Sequence, residues 1–208
     1  MKRPLLAPVA ALLALTVLGA LYVVRSNGNS GPQVPSSGPY RGSEPPGANY
    51  LPDFSLPGIG GGTVRSKRLH GRVVLTTFVD SECKETCPII VGILGRALPQ
   101  LSVPERRQLT ALAISVNPAG DSAVPVRRFL SARGALGQLD YLVAPIKTMK
   151  PVWKSFHVLS AAATGNPNIH SADVRIFDRN GRWVSTLNAG ADLTVANLLH
   201  DLRRALRS

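Results

Sequence analysis

The chain has 208 residues, a formal net charge of +12 from 24 Lys and Arg against 12 Asp and Glu, and two cysteines. So few cysteines confine any thiol chemistry or soft-metal binding to one stretch. The charge alone would permit nucleic-acid binding, but aromatic residues make up only 5% of the chain, and no basic stripe carries interleaved aromatics. The basic surface suits anionic lipid headgroups or an acidic partner protein instead.

Met1, Lys2 and Arg3 precede an apolar run from Pro4 to Val24, closed by Arg25. About 20 apolar residues suffice to cross a bilayer. Positive charge before the run and a long chain after it put the N-terminus in the cytoplasm and the rest on the extracytoplasmic, periplasmic side. Residues 1–25 are therefore read as a single-pass transmembrane anchor in the cell membrane. A cleaved signal peptide is the alternative, disfavoured because Leu18-Gly19-Ala20 is a poor small-x-small site and apolar residues follow it. No cysteine near the end of the run offers a lipid attachment point. Residues 26–49, rich in Gly, Pro, Ser and Asn, are read as a flexible linker that cannot bury a core.

Residues 50–208 suit one domain. Leu51 to Leu56 reads as a short edge strand, with Thr63-Val64 as its partner after a turn at Gly60-Gly61-Gly62. The apolar, β-branched run from Val73 to Val79 predicts a strand covered on both faces. It leads into Cys83, then Cys87 and Pro88. Beyond Pro88, Ile89, Ile93 and Ala97, with Ile90, Leu94 and Leu98, repeat at i, i+4 and predict an amphipathic helix. Pro88 is tolerated in its first turn, so Cys87 falls at the helix N-terminus and Cys83 on the turn before it. The helix start and Lys84 would favour thiolate, and Glu82 and Glu85 would oppose it.

Leu109 to Val116 predicts a second buried strand, ended by Asn117-Pro118-Ala119-Gly120. A helix capped by Asp121 or Ser122 follows, to about Arg133. Leu139 to Val143 predicts a short strand, and Thr148 caps a helix with Pro151 early in it. Val174 to Phe177 alternates as a strand. The Asn180-Gly181 pair predicts a hairpin, returning through Trp183 to Leu187. Val195, Leu198, Leu199, Leu202 and Leu206 mark a final amphipathic helix. The order β-α-β-α-β-α-β-β-α implies an α/β fold: a thioredoxin-like mixed sheet with helices on both faces. In such sheets reactive groups gather at the carboxyl ends of strands, where Cys83 lies.

The cysteine pair admits three readings. A structural disulfide fits the spacing, although so short a loop gives little closure stabilisation. A redox pair would cycle between dithiol and disulfide. A pair of thiolate ligands would suit a soft ion such as Cu(I), but needs a further ligand. Of the four histidines, His70, His157 and His200 read as surface or half-buried residues. His170 stands in the polar segment Asn166-Pro167-Asn168-Ile169-His170-Ser171, before a core strand. In a thioredoxin-like order this loop faces the cysteine turn. Two thiolates and an imidazole make a set suited to Cu(I) and able to hold Cu(II).

At these residues the domain resembles the Sco/SenC family of thioredoxin-fold copper proteins. The resemblance runs from about Leu51 to Ser208. It rests on Pro52-Asp53-Phe54, on Gly71 to Leu75 leading into Phe78, and on Cys83-x-x-x-Cys87-Pro88. It continues in Ser115-Val116-Asn117-Pro118 with Asp121, and in His170-Ser171 before Ile176 to Gly181. The resemblance implies copper as cofactor, with Cys83, Cys87 and His170 as ligands. It implies a metallochaperone that delivers copper to the dinuclear centre of cytochrome c oxidase subunit II, or a thiol reductase for that centre. Another extracytoplasmic copper protein is the alternative partner. The family's usual threonine before the first cysteine and Pro-Asp after it are absent, and its usual aspartate after the second strand is Asn117. These departures bear on the surroundings of the site. A thiol–disulfide oxidoreductase using Cys83 and Cys87 as catalytic pair is the alternative function.

Overall fold

A computed structural model of the chain describes residues 38–45, 47–158 and 171–208. Strand β3, Val73–Val79, is buried at every position, as its apolar, β-branched pattern predicts. It is the centre of a five-stranded sheet of order β5-β4-β3-β6-β7. Here β4 is Leu109–Ser115, β5 Asp140–Leu142, β6 Asp173–Phe177 and β7 Trp183–Asn188. β3, β4 and β5 run parallel, and β6 and β7 return antiparallel. The expected edge strands are β1, Ser55–Pro57, and β2, Thr63–Arg65, which pair with each other in a separate small sheet.

Side chains alternate across the sheet and build two cores. Val73, Leu75 and Val79 face one core with helices α1 (Thr86–Ala97), α3 (Ala123–Ser131) and α5 (Val195–Arg207). Val74 and Phe78 face the other with α4 (Ile146–Ser155), whose Trp153 donates from Nε1 to the Ser115 carbonyl at 2.8 Å. The layers and element order are those expected of a thioredoxin-like mixed sheet. The helix α1 packs tightly on the turn after α3. A Cβ at Gly95 would stand 2.1 Å from the Arg133 carbonyl oxygen, so only glycine fits there. The Asn-Gly turn forms as expected, with Gly181 at φ 77° and its amide donating to Asp178 O.

Several details differ from the sequence reading. Ile89 is 56% exposed, not part of the buried stripe; in the first turn of α1 the neighbouring Cys87 and Ile90 face the core, and Ile90, Val91 and Leu94 carry the burial instead. Helix α4 starts after Pro145, so Thr148 sits inside its first turn and Pro151 inside the helix. Ser122 is the N-cap of α3, without a side-chain cap bond, and Asp121 points inward. A short helix α2, Val103–Gln108, was not anticipated; its Ser102–Glu105 capping box is the signal that marks it.

Of the expected flexible linker, residues 26–37 lie outside the described residues, and the described part differs most from the expectation. From residue 38 onward it packs on the domain. Tyr40 and Gly42 are buried, and Ser43 forms a bridge to Thr186 of β7. The cause is Asp201 of α5, which is fully buried and accepts from the amides of Arg41 at 2.7 Å and Gly42 at 2.9 Å. The predicted anchor, residues 1–25, lies outside the described residues. Among the described residues no helix is long and apolar enough to cross a membrane.

Candidate metal and thiol site

β3 delivers the chain at Val79 into a turn, Asp80 to Glu85, that leads into α1. Local polar groups set this turn. Asp80 Oδ1 accepts from the Glu82 amide at 2.8 Å, and the Cys83 amide donates to Asp80 O at 3.3 Å. Asn117, at the end of the neighbouring strand, reaches across with its side-chain amide to Asp80 Oδ1 at 3.3 Å and Glu82 Oε2 at 3.2 Å. The residue that replaces the family's usual aspartate thus bridges two carboxylates as a donor, which an ionised aspartate could not do.

Beneath the turn lies a buried carboxylate. Asp121 accepts from the Ser81 amide at 2.9 Å, from the Ser115 hydroxyl at 2.5 Å and from the Tyr141 hydroxyl at 2.6 Å. These bonds fasten the cysteine turn to β4 and β5. Ser81 Oγ is buried with no hydrogen-bond partner among the described residues. Burial first, and then the Asp121 charge and hydrogen bond, push the Tyr141 hydroxyl well above its ordinary value.

The two thiols meet. Both cysteines are free; Cys83 is half-buried and Cys87 fully buried. The two thiols are near neighbours, and the Asp80 backbone favours the Cys87 thiolate. Burial nevertheless pushes the Cys87 thiol up strongly, and the neighbouring Cys83 adds to it. At Cys87, loss of water outweighs whatever the helix start contributes. The result is an accessible sulfur backed by an inaccessible, protonated one. This suits a soft metal ion, which displaces thiol protons as it binds.

Of the three predicted ligands the described structure brings Cys83 and Cys87 together. His170 lies outside the described residues. Its flank is described: Val174 pairs with Thr77, and Thr77 Oγ1 donates to Asp173 O at 2.8 Å. Ala172 and Cys83 pack on the same core. The chain before β6 therefore reaches the end of β3 that enters the cysteine turn. His70 precedes β3 at the other end of the sheet, His157 is exposed after α4, and His200 bonds Asp201. Among the described residues no group of three His, Cys, Asp or Glu side chains could hold a metal ion.

The support beneath the turn was only half visible in the sequence. Asp121 stood among the residues of the resemblance and as a possible helix cap, and Tyr141 within an apolar strand. A buried-type strand containing tyrosine does signal a hydroxyl in search of a partner, but nothing in the pattern says which.

The family model described as SCO1/SenC matches residues 42–207. No curated protein gives a significant match. Among solved structures, apo Sco1 from Thermus thermophilus aligns with TM-score 0.65 at 21% identity, covering 79% of this chain and 96% of that one. Copper-bound ScoI from Bradyrhizobium japonicum aligns with TM-score 0.58 at 24% identity, covering 76% and 99%. BsSco, described as a disulfide-switch member of the Sco family of cytochrome c oxidase assembly proteins, aligns with TM-score 0.63 at 19% identity, covering 79% and 97%. At these identities the likeness is one of fold.

Proposed function

The chain belongs to the SCO1/SenC family, and from that premise we propose that it is a membrane-tethered copper-binding protein. It delivers copper to, or matures, the dinuclear copper centre of cytochrome c oxidase subunit II. The observation that carries this reading is the pair of free, neighbouring cysteines where β3 turns into α1. The chain preceding β6 reaches the same end of the sheet. The copper-bound relative of the same fold supports it.

Cys83, Cys87 and His170 would hold copper, which two thiolates and one imidazole suit as Cu(I) or Cu(II). Cys83, half-buried, meets the incoming ion or partner first. Cys87 gives up its proton only once the cation replaces it, so apparent affinity rises with pH. The domain, anchored through residues 1–25, docks on the partner, whose own ligands displace these side chains one at a time. Oxidation of the thiols to a disulfide removes both sulfur ligands, so loading requires the dithiol.

A second reading is favoured by the unequal exposure of the two sulfurs. In a thiol–disulfide oxidoreductase, Cys83 as thiolate attacks a partner disulfide and forms a mixed disulfide. Cys87, on losing its proton, then attacks the Cys83 sulfur. Two electrons pass to the partner, which leaves as a dithiol, and the Cys83–Cys87 disulfide remains.

Anaerobic copper titration of the reduced protein, alongside a disulfide-exchange assay, separates the two. Under the first reading His170→Ala loses most copper affinity and the thiolate-to-Cu(II) absorption, while its exchange rate is unchanged. Copper binding by His170→Ala equal to wild type would leave only the second reading.

A further inference from the structure

A set of exposed arginines gathers at one end of the sheet. The cysteine end carries Asp80, Glu82 and Glu85 with Lys84 in one turn, Asp121 beneath it, and Asp173 paired with Arg175 at the start of β6. The opposite end carries exposed Arg68, Arg106, Arg107, Arg182, Arg204 and Arg207. These come from four separate stretches of chain, and Arg179 joins all four. Its Nη2 donates to Gln108 Oε1 at the end of α2 and to Leu206 O at the end of α5, both at 2.5 Å. Its own carbonyl accepts from Gly71 at 2.9 Å, which draws in the turn bearing Arg68, and it lies in the hairpin turn with Arg182. Asp140 at the start of β5 and Glu44 beside the hairpin are the exposed carboxylates near this end, and the others have local partners. Glu105 pairs with Arg203 at 3.4 Å, Asp53 with Lys67 at 3.6 Å, and Asp178 accepts the amides of Asn180 and Arg182. A surplus of exposed guanidinium groups is left.

The chain also enters the domain at this end. Pro39 and Tyr40 share one surface hollow with Asp178, Arg182 and the C-terminal Ser208. The Arg204 guanidinium lies 5.9 Å over the Tyr40 ring. Asp201 then fixes Arg41 and Gly42. Upstream in the sequence stands the apolar run from Pro4 to Val24. A basic face beside the point of entry fits an anionic lipid surface better than a freely diffusing polyanion, because an anchored run upstream would keep the face at high effective concentration near the membrane.

We propose that the arginine-rich end of the domain, opposite the cysteine turn, seats on an anionic phospholipid surface and directs the two thiols away from it. Guanidinium groups pair with phosphate in a forked geometry. An arginine cluster of this kind contributes a multiplicative gain in partitioning per residue.

The test uses residues 38–208. Both cores lie within this stretch, and solved relatives that are 96% and 99% covered by this chain fold as the domain alone. Co-sedimentation is measured with vesicles of phosphatidylcholine alone and with added phosphatidylglycerol. The expected result is binding to the anionic vesicles only, lost near 1 M salt, where the screening length falls to about 3 Å. Arg68→Gln/Arg107→Gln/Arg207→Gln should weaken it on the order of a hundredfold. Arg127→Gln/Lys147→Gln/Lys150→Gln removes the same charge from the cysteine half of α3 and α4 and should weaken it less than about threefold. Equal loss in both triple variants, or equal binding to neutral vesicles, would overturn the proposal. So would binding to a DNA duplex with none to anionic vesicles.

Discussion

Two buried aspartates do the same job at different places. Asp121 and Asp201 are each almost inaccessible, at 2% and 0% exposure. Each gathers backbone amides and hydroxyls: Asp121 takes Ser81 N, Ser115 and Tyr141, and Asp201 takes Arg41 N, Gly42 N and Ser185. Each fixes a segment that has no helix or ladder of its own. The difference lies in what is fixed and in what surrounds it. Asp121 holds the turn that carries Cys83, and two of its three donors, the Ser115 and Tyr141 hydroxyls, are buried. Asp201 holds the entering segment, and His200, 40% exposed at its side chain, sits beside it at 2.9 Å. A carboxylate can serve as the local substitute for secondary structure, and its position decides whether its loss reaches the cysteines.

The largest effect should come from Asp121→Ala. It leaves two buried hydroxyls and an amide without their acceptor, at roughly 3 kcal/mol or more. It should also change the alkylation rate of Cys83, because the Ser81 amide is released. Denaturant unfolding and thiol labelling check both. Asp201→Ala should cost less, about 1–3 kcal/mol, since it strands one buried hydroxyl, that of Ser185, and the amides of Arg41 and Gly42 reach water once their segment lifts away. It should expose residues 38–45 to limited proteolysis while leaving Cys83 labelling unchanged. If the two variants altered the cysteines equally, the separation drawn between these regions would fail.

A smaller effect is expected on the alkaline side. Burial, ahead of the Asp121 charge, holds the Tyr141 proton beyond its ordinary value of 10.0. Burial does the same for Cys87, whose ordinary value is 9.0. The unfolded chain ionises these groups at their ordinary values and the folded chain does not. Their contribution is complete below about pH 9 and is lost as pH climbs toward the folded values. Unfolding free energy should therefore fall above pH 9. Tyr141→Phe should cost about 1 kcal/mol at neutral pH, from the lost hydrogen bond to Asp121, and should flatten that alkaline decline. A decline as steep as wild type in this variant would show that Tyr141 does not ionise on unfolding as described.

Hydrophobic periodicity is a local property, which is why the layers could be read from it. The run from Val73 to Val79 and the stripe of α5 have one stable placement each, and both are found where the pattern puts them. The cysteine turn could be read because Cys83 follows a parallel strand. The polar details could not. The partners through which each carboxylate fixes its segment lie 40 residues away, as with Ser81 and Asp121, or 160 away, as with Arg41 and Asp201. No window along the chain contains both members. The segment from residue 38 was expected to be mobile on composition alone, because Gly, Pro and Ser carry no apolar signal. It is held by backbone amides, which every residue except proline has. Ile89 fell outside the core for a related reason: i, i+4 spacing allowed two adjacent stripes and did not say which face the first turn of α1 turns inward.

The central claim is that two sulfurs and one imidazole take the same copper ion. X-ray absorption at the copper edge, on reduced protein loaded anaerobically with one equivalent, tests it directly. The account predicts two sulfur scatterers and one imidazole nitrogen in wild type, with the nitrogen signal lost in His170→Ala and the sulfur signal lost in Cys83→Ser/Cys87→Ser. A wild-type spectrum with sulfur alone, unchanged by His170→Ala, would contradict it.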